Sequence, residues 1–273
     1  MPELPEVEVI CRGLSPLLVG QRISSVELMR DDLRFPLPVS MVRELPGLIF
    51  TSISRRSRYL LFHFDRGPVL IWHLGMTGQF HVLAQESLPG AHEHVRVNME
   101  NGRVLCYRDA RRFGYAGLSR PDLLAEHKWF SRLGPEPLQD SFSAAYLTGQ
   151  CTGRRAPVKS LLMDAHVVAG IGNIYASEVL FRSGIHPARA AGNISEARVT
   201  LLTEAVRSVL GEAIAAGGSS ISDFVKVDGS PGYFSHQFRV YGRQGEPCYR
   251  CGRSIRRMVQ SGRSTFYCPG CQH

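Results

Sequence analysis

Lysine is nearly missing from this chain. Of its 32 basic residues only Lys128, Lys159 and Lys226 are lysines, and arginine supplies the rest. Arginine stays protonated and cannot act as an amine nucleophile. A reaction that needs a free amine therefore has three lysines and the chain's own N-terminus to choose from. Acidic residues are also in deficit, 24 in all, leaving a formal charge of +8. An acidic partner such as nucleic acid is favoured by that balance. No hydrophobic run is long enough to span a bilayer, and the start lacks the basic and apolar regions of a secretory signal. No membrane partner is expected, and the expected compartment is the cytoplasm. Cysteine is sparse and odd in number, with four of the seven crowded between Cys248 and Cys271. That distribution argues against a secreted disulfide framework and for metal binding in a reducing compartment.

What is present is ordered along the chain. The first eight residues put two prolines and three carboxylates around Leu4, then run into a helical pattern with Val7, Ile10, Cys11, Leu14 and Leu18 on one face. Pro5 suits a first helical turn, where a missing N–H costs little. With Met1 removed, the terminus is the secondary amine of Pro2 with Glu3 beside it. An α-amino group titrates near pH ~8, so a useful fraction is an uncharged nucleophile at neutral pH. A helix lead-in with solvated acids is the plainer reading of the same stretch.

The region to about residue 118 reads as β-rich. Residues 59–64 and 69–74 form a predicted hairpin, and 94–99 with 104–107 form another around Asn101-Gly102, a dipeptide suited to a type I′ turn. Short strands at this spacing suggest a sandwich or barrel. The stiff Leu133-Gly134-Pro135-Glu136-Pro137 segment reads as a linker. Helical patterns follow over 144–148, 158–165, 176–183 and 196–216. The expected division is an N-terminal domain over 1–132, a helical domain over 133–235 and a metal-stapled lobe over 236–273. The expected fold class is α+β multidomain.

Four constellations carry chemistry. In the tail, Cys248-x2-Cys251 and Cys268-x2-Cys271 stand sixteen residues apart, spacing that closes a tetrahedral site on one structural Zn²⁺ per chain. A redox pair is the alternative. Arg253, Arg256, Arg257 and Arg263 lie between the knuckles and suit phosphates, although zinc ribbons also bind proteins. The stretch from Leu162 to Glu178 reads as helix, glycine turn, helix, with Asn173 placed to cap the second helix and offer its amide to a phosphate. Arg111 and Phe113 in Asp109-Ala110-Arg111-Arg112-Phe113-Gly114, with Met76 on a neighbouring loop, suit a wedge into a base stack. A buried Phe113 is the plainer alternative. Finally, Gly217-Gly218-Ser219-Ser220 and the residues to Tyr233 read as a loop able to close over a ligand, or as a plain connector.

In this order, from Met1-Pro2-Glu3-Leu4-Pro5-Glu6-Val7-Glu8 to Cys268-Pro269-Gly270-Cys271-Gln272, the motifs resemble the formamidopyrimidine-DNA glycosylase family, which also contains endonuclease VIII. The resemblance covers the whole chain. It implies an N-terminal β-sandwich with flanking helices, a helix-two-turns-helix domain and a C-terminal zinc-finger hairpin. It also implies a monomer that excises oxidised purines from damaged double-stranded DNA and cleaves the strand at the abasic site. By position, Pro2 resembles the family nucleophile and Glu3 its general acid/base. Arg263 matches the position linked to δ-elimination, and His92, Arg154, Lys159 and Asn173 match DNA contacts. Met76, Arg111 and Phe113 match the trio that fills the gap of the flipped base, and Ser219, Ser220 and Tyr233 fall in the lesion-covering loop. One departure stands out: the family reads Arg-Arg-x-Lys-Tyr-Leu-Leu where this chain has Arg55-Arg56-Ser57-Arg58-Tyr59-Leu60-Leu61. Arg58 keeps the charge at that catalytic position but is a poor proton donor. Ala110 stands where the family often has proline. Two alternatives are an endonuclease VIII-like enzyme for oxidised pyrimidines and a catalytically weak binder of damaged DNA.

Overall fold

The computed structural model describes residues 1–84, 87–219, 230 and 232–273. The predicted loop residue Ser220 lies outside the described residues, as does Lys226. The chain divides into two compact units, Met1–Ser131 with Gly217–Gly232, and Arg132–Ala216 with Tyr233–His273.

The first unit begins with helix α1 (Leu4–Leu18), whose Pro5 falls in the first turn. All five residues of the predicted apolar face, Val7, Ile10, Cys11, Leu14 and Leu18, are buried. Among the described residues eight antiparallel strands follow, with the short helix α2 (Met41–Glu44) inserted after the first. Strands β1 (Ile23–Leu28), β6 (Glu93–Met99), β7 (Arg103–Arg108) and β5 (Gln79–Ala84) pair in that order to form one sheet. Strands β2 (Phe50–Arg56), β3 (Tyr59–Phe64), β4 (Val69–His73) and β8 (Tyr115–Ser119) form the other. Side chains of both sheets and of α1 share one apolar core, including Phe50, Phe62, Trp72, Val97 and Tyr107. Of the sandwich or barrel that the strand spacing suggests, the sandwich forms, and the side chains that both sheets turn into this core fix the strand register.

Both predicted hairpins form, with Leu61 opposite Ile71 and Val97 opposite Leu105. The turn at Asn101-Gly102 differs from the expectation. A type I′ turn needs positive φ at both central residues. Here only the glycine takes it, Gly102 at 77°, and Gly102 N–H closes the turn on Met99 O at 3.0 Å. An extra residue in the loop shifts the glycine to the bulge position that follows a tight turn.

The second unit holds α3 (Ala144–Cys151), α4 (Val158–Leu162), α5 (Asn173–Arg182) and α6 (Glu196–Ala215). Ser143 starts α3 by accepting Tyr146 N–H at 3.1 Å, the side-chain cap that lets this weakly patterned segment fold. Along α6, Val199, Leu202, Val206, Val209, Leu210 and Ala213 face a core shared with Tyr175, Val179 and Leu180 of α5. The unit ends in a two-stranded hairpin, β9 (Arg256–Gln260) and β10 (Arg263–Tyr267). Its two turn residues, Ser261 and Gly262, both take positive φ, 49° and 73°. Among the described residues no helix is long and apolar enough to cross a membrane.

Candidate active site and nucleic-acid interface

The chain start is held tightly. Glu3 is the N-cap of α1, with Glu6 three residues on. Glu6 Oε2 accepts Glu3 N–H at 2.9 Å, one half of a reciprocal capping box in which the Glu3 carboxylate takes the Glu6 N–H. Both side chains are buried, Glu3 at 4% exposure and Glu6 at 2%. Glu6 Oε1 also accepts the backbone N–H and the hydroxyl of Ser219, each at 2.9 Å. With Met1 in place, its terminal amine is held below the ordinary value first by burial, with Arg58 and Arg111 adding to the effect and Glu3 and Glu6 opposing it. Burial and neighbouring guanidinium groups both disfavour a charged amine.

Arg58 occupies the two-residue turn between β2 and β3, after Ser57 at φ 56°. Beside it lies a group that the sequence analysis did not single out. His73, at the end of the fully buried strand β4, stacks on Tyr115 at 4.7 Å and 10° and meets Tyr59 edge-on at 5.0 Å. Its Nδ1 accepts Gly75 N–H at 3.0 Å, which leaves the ring proton on Nε2. Burial pushes its pKa down to about 3, and Arg58, Arg34 and the terminal amine push the same way. The Tyr59 and Tyr115 hydroxyls share a 2.9 Å hydrogen bond. A histidine near the end of an apolar run, with only Leu74 between it and Gly75-Met76-Thr77-Gly78, is the signal that would have found this cluster.

Met76 and Phe113 lie on adjacent loops and are exposed, at 41% and 42%. The Arg111 guanidinium sits 4.7 Å from the Phe113 ring centroid, so the three predicted wedge residues stand together and Phe113 is no core residue. Two backbones meet beneath them: a Cβ on Gly75 would lie 2.4 Å from both Phe113 C and Gly114 N. His92 is exposed at φ 59°, and its carbonyl accepts Asp109 N–H at 3.0 Å. At the base of the predicted covering loop, a Cβ on Gly232 would lie 2.4 Å from the carbonyl oxygens of Gly217 and Gly218, so only glycine fits where the ends close. Ser219 is buried there.

In the second unit, Lys159 is only 2% exposed. Its Nζ donates to Asn173 Oδ1 and Thr265 Oγ1, both at 2.6 Å. Asn173 donates in turn to Ser264 O at 2.9 Å. The expected cap is corrected here: Gly172 is the N-cap of α5, and Asn173 is the first helical residue. The extended backbone that a cap needs falls on the glycine, which frees the Asn173 amide to bridge α4 and the hairpin. Lys159 and Arg263 line one cavity of about 170 Å³ with Ser160, Met163, Asp164, Gln260 and Ser261. Arg154 is exposed after α3, and Tyr233 is 56% exposed. Glu178, buried in α5, accepts the N–H groups of Arg239, Val240 and Tyr241 at 2.9, 3.0 and 2.8 Å. Burial pushes its pKa up against the pull of those three bonds.

The four tail cysteines come together as their spacing predicts. Their Sγ atoms all lie within 4.8 Å of one another, with Cys248 to Cys271 at 3.9 Å and Cys251 to Cys268 at 3.4 Å. Those separations are far too long for disulfides. They approach the edge of about 3.8 Å expected for a tetrahedron of sulfurs at ~2.3 Å from one metal. The donor set therefore fits a closed metal site.

A sandwich with a capped chain start, a helical unit and a four-cysteine hairpin together define a class of DNA-acting protein, and comparison with known proteins specifies it. Residues 1–116 match the model of the formamidopyrimidine-DNA glycosylase N-terminal domain, 133–225 that of its H2TH domain, and 245–273 that of the zinc finger found in FPG and IleRS. The chain belongs to the formamidopyrimidine-DNA glycosylase family. It is 50% identical over 272 residues to the formamidopyrimidine-DNA glycosylase of Xanthomonas oryzae pv. oryzae, covering 100% of both chains. A mutant Lactococcus lactis FPG solved with DNA containing Fapy-dG superposes with TM-score 0.93 at 33% identity, over 100% of both chains. A MutM structure with carbocyclic 8-oxo-G DNA gives TM-score 0.91 at 34% identity, again over 100% of both.

The buried imidazole yields a pH prediction. An unfolded histidine protonates below about pH 6.5. In the fold His73 resists protonation down to about 3. Its contribution to stability is therefore complete above the unfolded value and is lost as pH falls through that window. His73→Gln should lose less stability than the parent between pH 7 and pH 4, read as the shift in urea midpoint. Equal acid losses in the two proteins would refute a neutral buried imidazole.

Proposed function

We propose that this chain excises oxidised purines, 8-oxoguanine and formamidopyrimidines, from double-stranded DNA and then cleaves the strand at the abasic site, working as a monomer in the cytoplasm. The observation that carries this reading is the chain start, where a Pro-Glu pair is locked at a helix N-terminus and the neighbouring amine is disfavoured from charging. The relatives solved with Fapy-dG and 8-oxo-G DNA support the purine class.

The chemistry follows from these groups. With Met1 removed, the Pro2 nitrogen attacks C1′ of an extruded nucleotide. The glycosidic bond breaks, the base leaves with a proton, and an iminium forms as the sugar ring opens. Glu3 delivers the proton to the opening ring oxygen. Glu6 is poorly suited to that task, because both its oxygens already accept backbone N–H groups. The iminium then draws electrons from the C2′–H bond and expels the 3′ phosphate. A second elimination expels the 5′ phosphate, with Arg263 at that phosphate. Arg58 holds the phosphate charge near the amine. Met76, Arg111 and Phe113 fill the vacated stack, and Ser219 and Tyr233 flank the loop over the extruded base. His92, Arg154 and Asn173 take backbone phosphates, with Lys159 placing positive charge behind the Asn173 amide.

We assign one Zn²⁺ to Cys248, Cys251, Cys268 and Cys271. When bound, the metal would fix the hairpin that carries Arg263; four thiolates leave it no open position for substrate. Chelation should release about one zinc per chain and weaken DNA binding at least tenfold, read by metal titration and anisotropy. Binding that survives metal loss would remove the zinc from the recognition surface.

The central experiment is borohydride trapping on duplex DNA with 8-oxoguanine opposite cytosine. The parent should form a covalent complex, and Pro2→Gly should reduce it more than a hundredfold. A chain that keeps Met1 should bind the same DNA and trap nothing. Normal trapping by Pro2→Gly would move the nucleophile to another amine, and excision confined to oxidised pyrimidines would overturn the substrate class.

A further inference from the structure

Beneath the exposed tips of Met76, Arg111 and Phe113 lies one carboxylate for which the reaction above has no use. Asp109 is fully buried. Its Oδ1 bonds Thr77 Oγ1, and its Oδ2 accepts Gly114 N–H at 2.7 Å and the Tyr107 hydroxyl at 3.2 Å. Thr77 Oγ1 accepts Arg111 N–H at 3.1 Å. The Asp109 carbonyl takes Arg112 N–H at 3.2 Å, where Arg112 is held at φ 56°. One acidic side chain thus closes both loops on each other, in the place where Gly75 and Gly114 leave no room for a Cβ. Tyr107 completes the seam, its hydroxyl also 3.1 Å from Leu74 O.

We propose that Asp109, acting through the Thr77 hydroxyl, is a positioning residue that sets the two loops as a single rigid wedge for base extrusion. The inference rests on the glycosylase reading above and adds a residue that touches neither substrate nor the reacting atoms. A side chain that unstacks a base pair must be backed by a support that does not yield. Two loop tips free to part would give way before the duplex opened. The requirement is steepest for a base that is stacked and paired, and smaller where no base has to be withdrawn.

The test uses the full chain with Met1 removed and compares two substrates in one duplex sequence: 8-oxoguanine paired with cytosine, and a preformed abasic site. Thr77→Val keeps the branched shape but loses the hydroxyl relay. It should slow single-turnover excision of the paired lesion at least tenfold while leaving abasic-site cleavage within about twofold. Asp109→Asn should fall further on the same substrate, and Thr77→Ser should restore the rate to within about threefold. A 2-aminopurine placed beside the lesion should brighten more slowly with Thr77→Val than with the parent. An unchanged paired-lesion rate in Thr77→Val overturns the proposal, as does an equal loss on both substrates, which marks a general structural role. A parent that processes neither substrate refutes the glycosylase reading instead. The 2-aminopurine signal needs no bond cleavage and still decides the positioning role in that case.

Discussion

A carboxylate withdrawn from water is costly unless its lone pairs are filled. Glu6 is nearly sealed from solvent and meets that condition by accepting from Glu3 N–H and from Ser219. The groups it satisfies belong to two irregular stretches far apart in sequence, the lead-in to α1 at Glu3 and the residues after Gly217 at Ser219, itself 213 residues from Glu6. Much of the arrangement at the chain start depends on this exchange. The N-terminal residues of a chain normally fray. Here the first turn of α1 is anchored through its own cap, so the position next to the amine is defined to within a hydrogen bond. The second proline matters for the same reason, since it removes an N–H at a helix end that would otherwise need an acceptor.

The same solution appears twice more. Asp109 serves Thr77, Gly114 and Tyr107, and Glu178 serves three consecutive N–H groups of the strap that leads into the cysteine hairpin. In each case a segment without regular structure has lost its water and needs acceptors that no strand or helix can offer. A buried acid on a helix, or at the end of a strand, supplies two oxygens at one point. At Glu178 burial raises the pKa despite three donors. Desolvation and hydrogen bonding work against each other at such sites, and for this residue the desolvation is larger.

How much of this was legible in the sequence depended on the distance between cooperating residues. The α1 face could be read because it is a local helical repeat, and both hairpins because each is a pair of short apolar-rich runs around a turn signal. The four cysteines could be read because the ligand spacing is itself the signal. Thr77 and Asp109 stand 32 residues apart, so nothing local joins them, and an aspartate before Ala110-Arg111-Arg112 looks like any turn acid. Lys159 was legible as a charge but not as a buried one, since lysine is rarely covered unless paired. Its partners, Asn173 and Thr265, come from a helix and a strand 14 and 106 residues away. Asn173 looked like a cap because asparagine favours that place, but the glycine before it took the cap backbone. At Asn101-Gly102 the dipeptide marked the turn correctly and its type wrongly, because one added loop residue changes which position must be left-handed.

The shortage of lysine can now be weighed against geometry. An amine nucleophile must be uncharged and free to leave its partners. Of the two described lysines, the Lys159 Nζ is committed to two 2.6 Å hydrogen bonds inside the second unit, and the Lys128 Nζ lies 5.7 Å from the Trp129 ring centroid. At the chain start, partial burial and the neighbouring guanidinium groups pull the Met1 amine toward the neutral form. Arg58 adds to that pull without competing for the same chemistry. A guanidinium carries a permanent charge, can hold a phosphate with two parallel bonds and offers no nucleophilic amine. A lysine at this position would place a second amine beside the first. Arginine therefore adds to the field that disfavours a charged amine at the chain start without adding a second amine of its own.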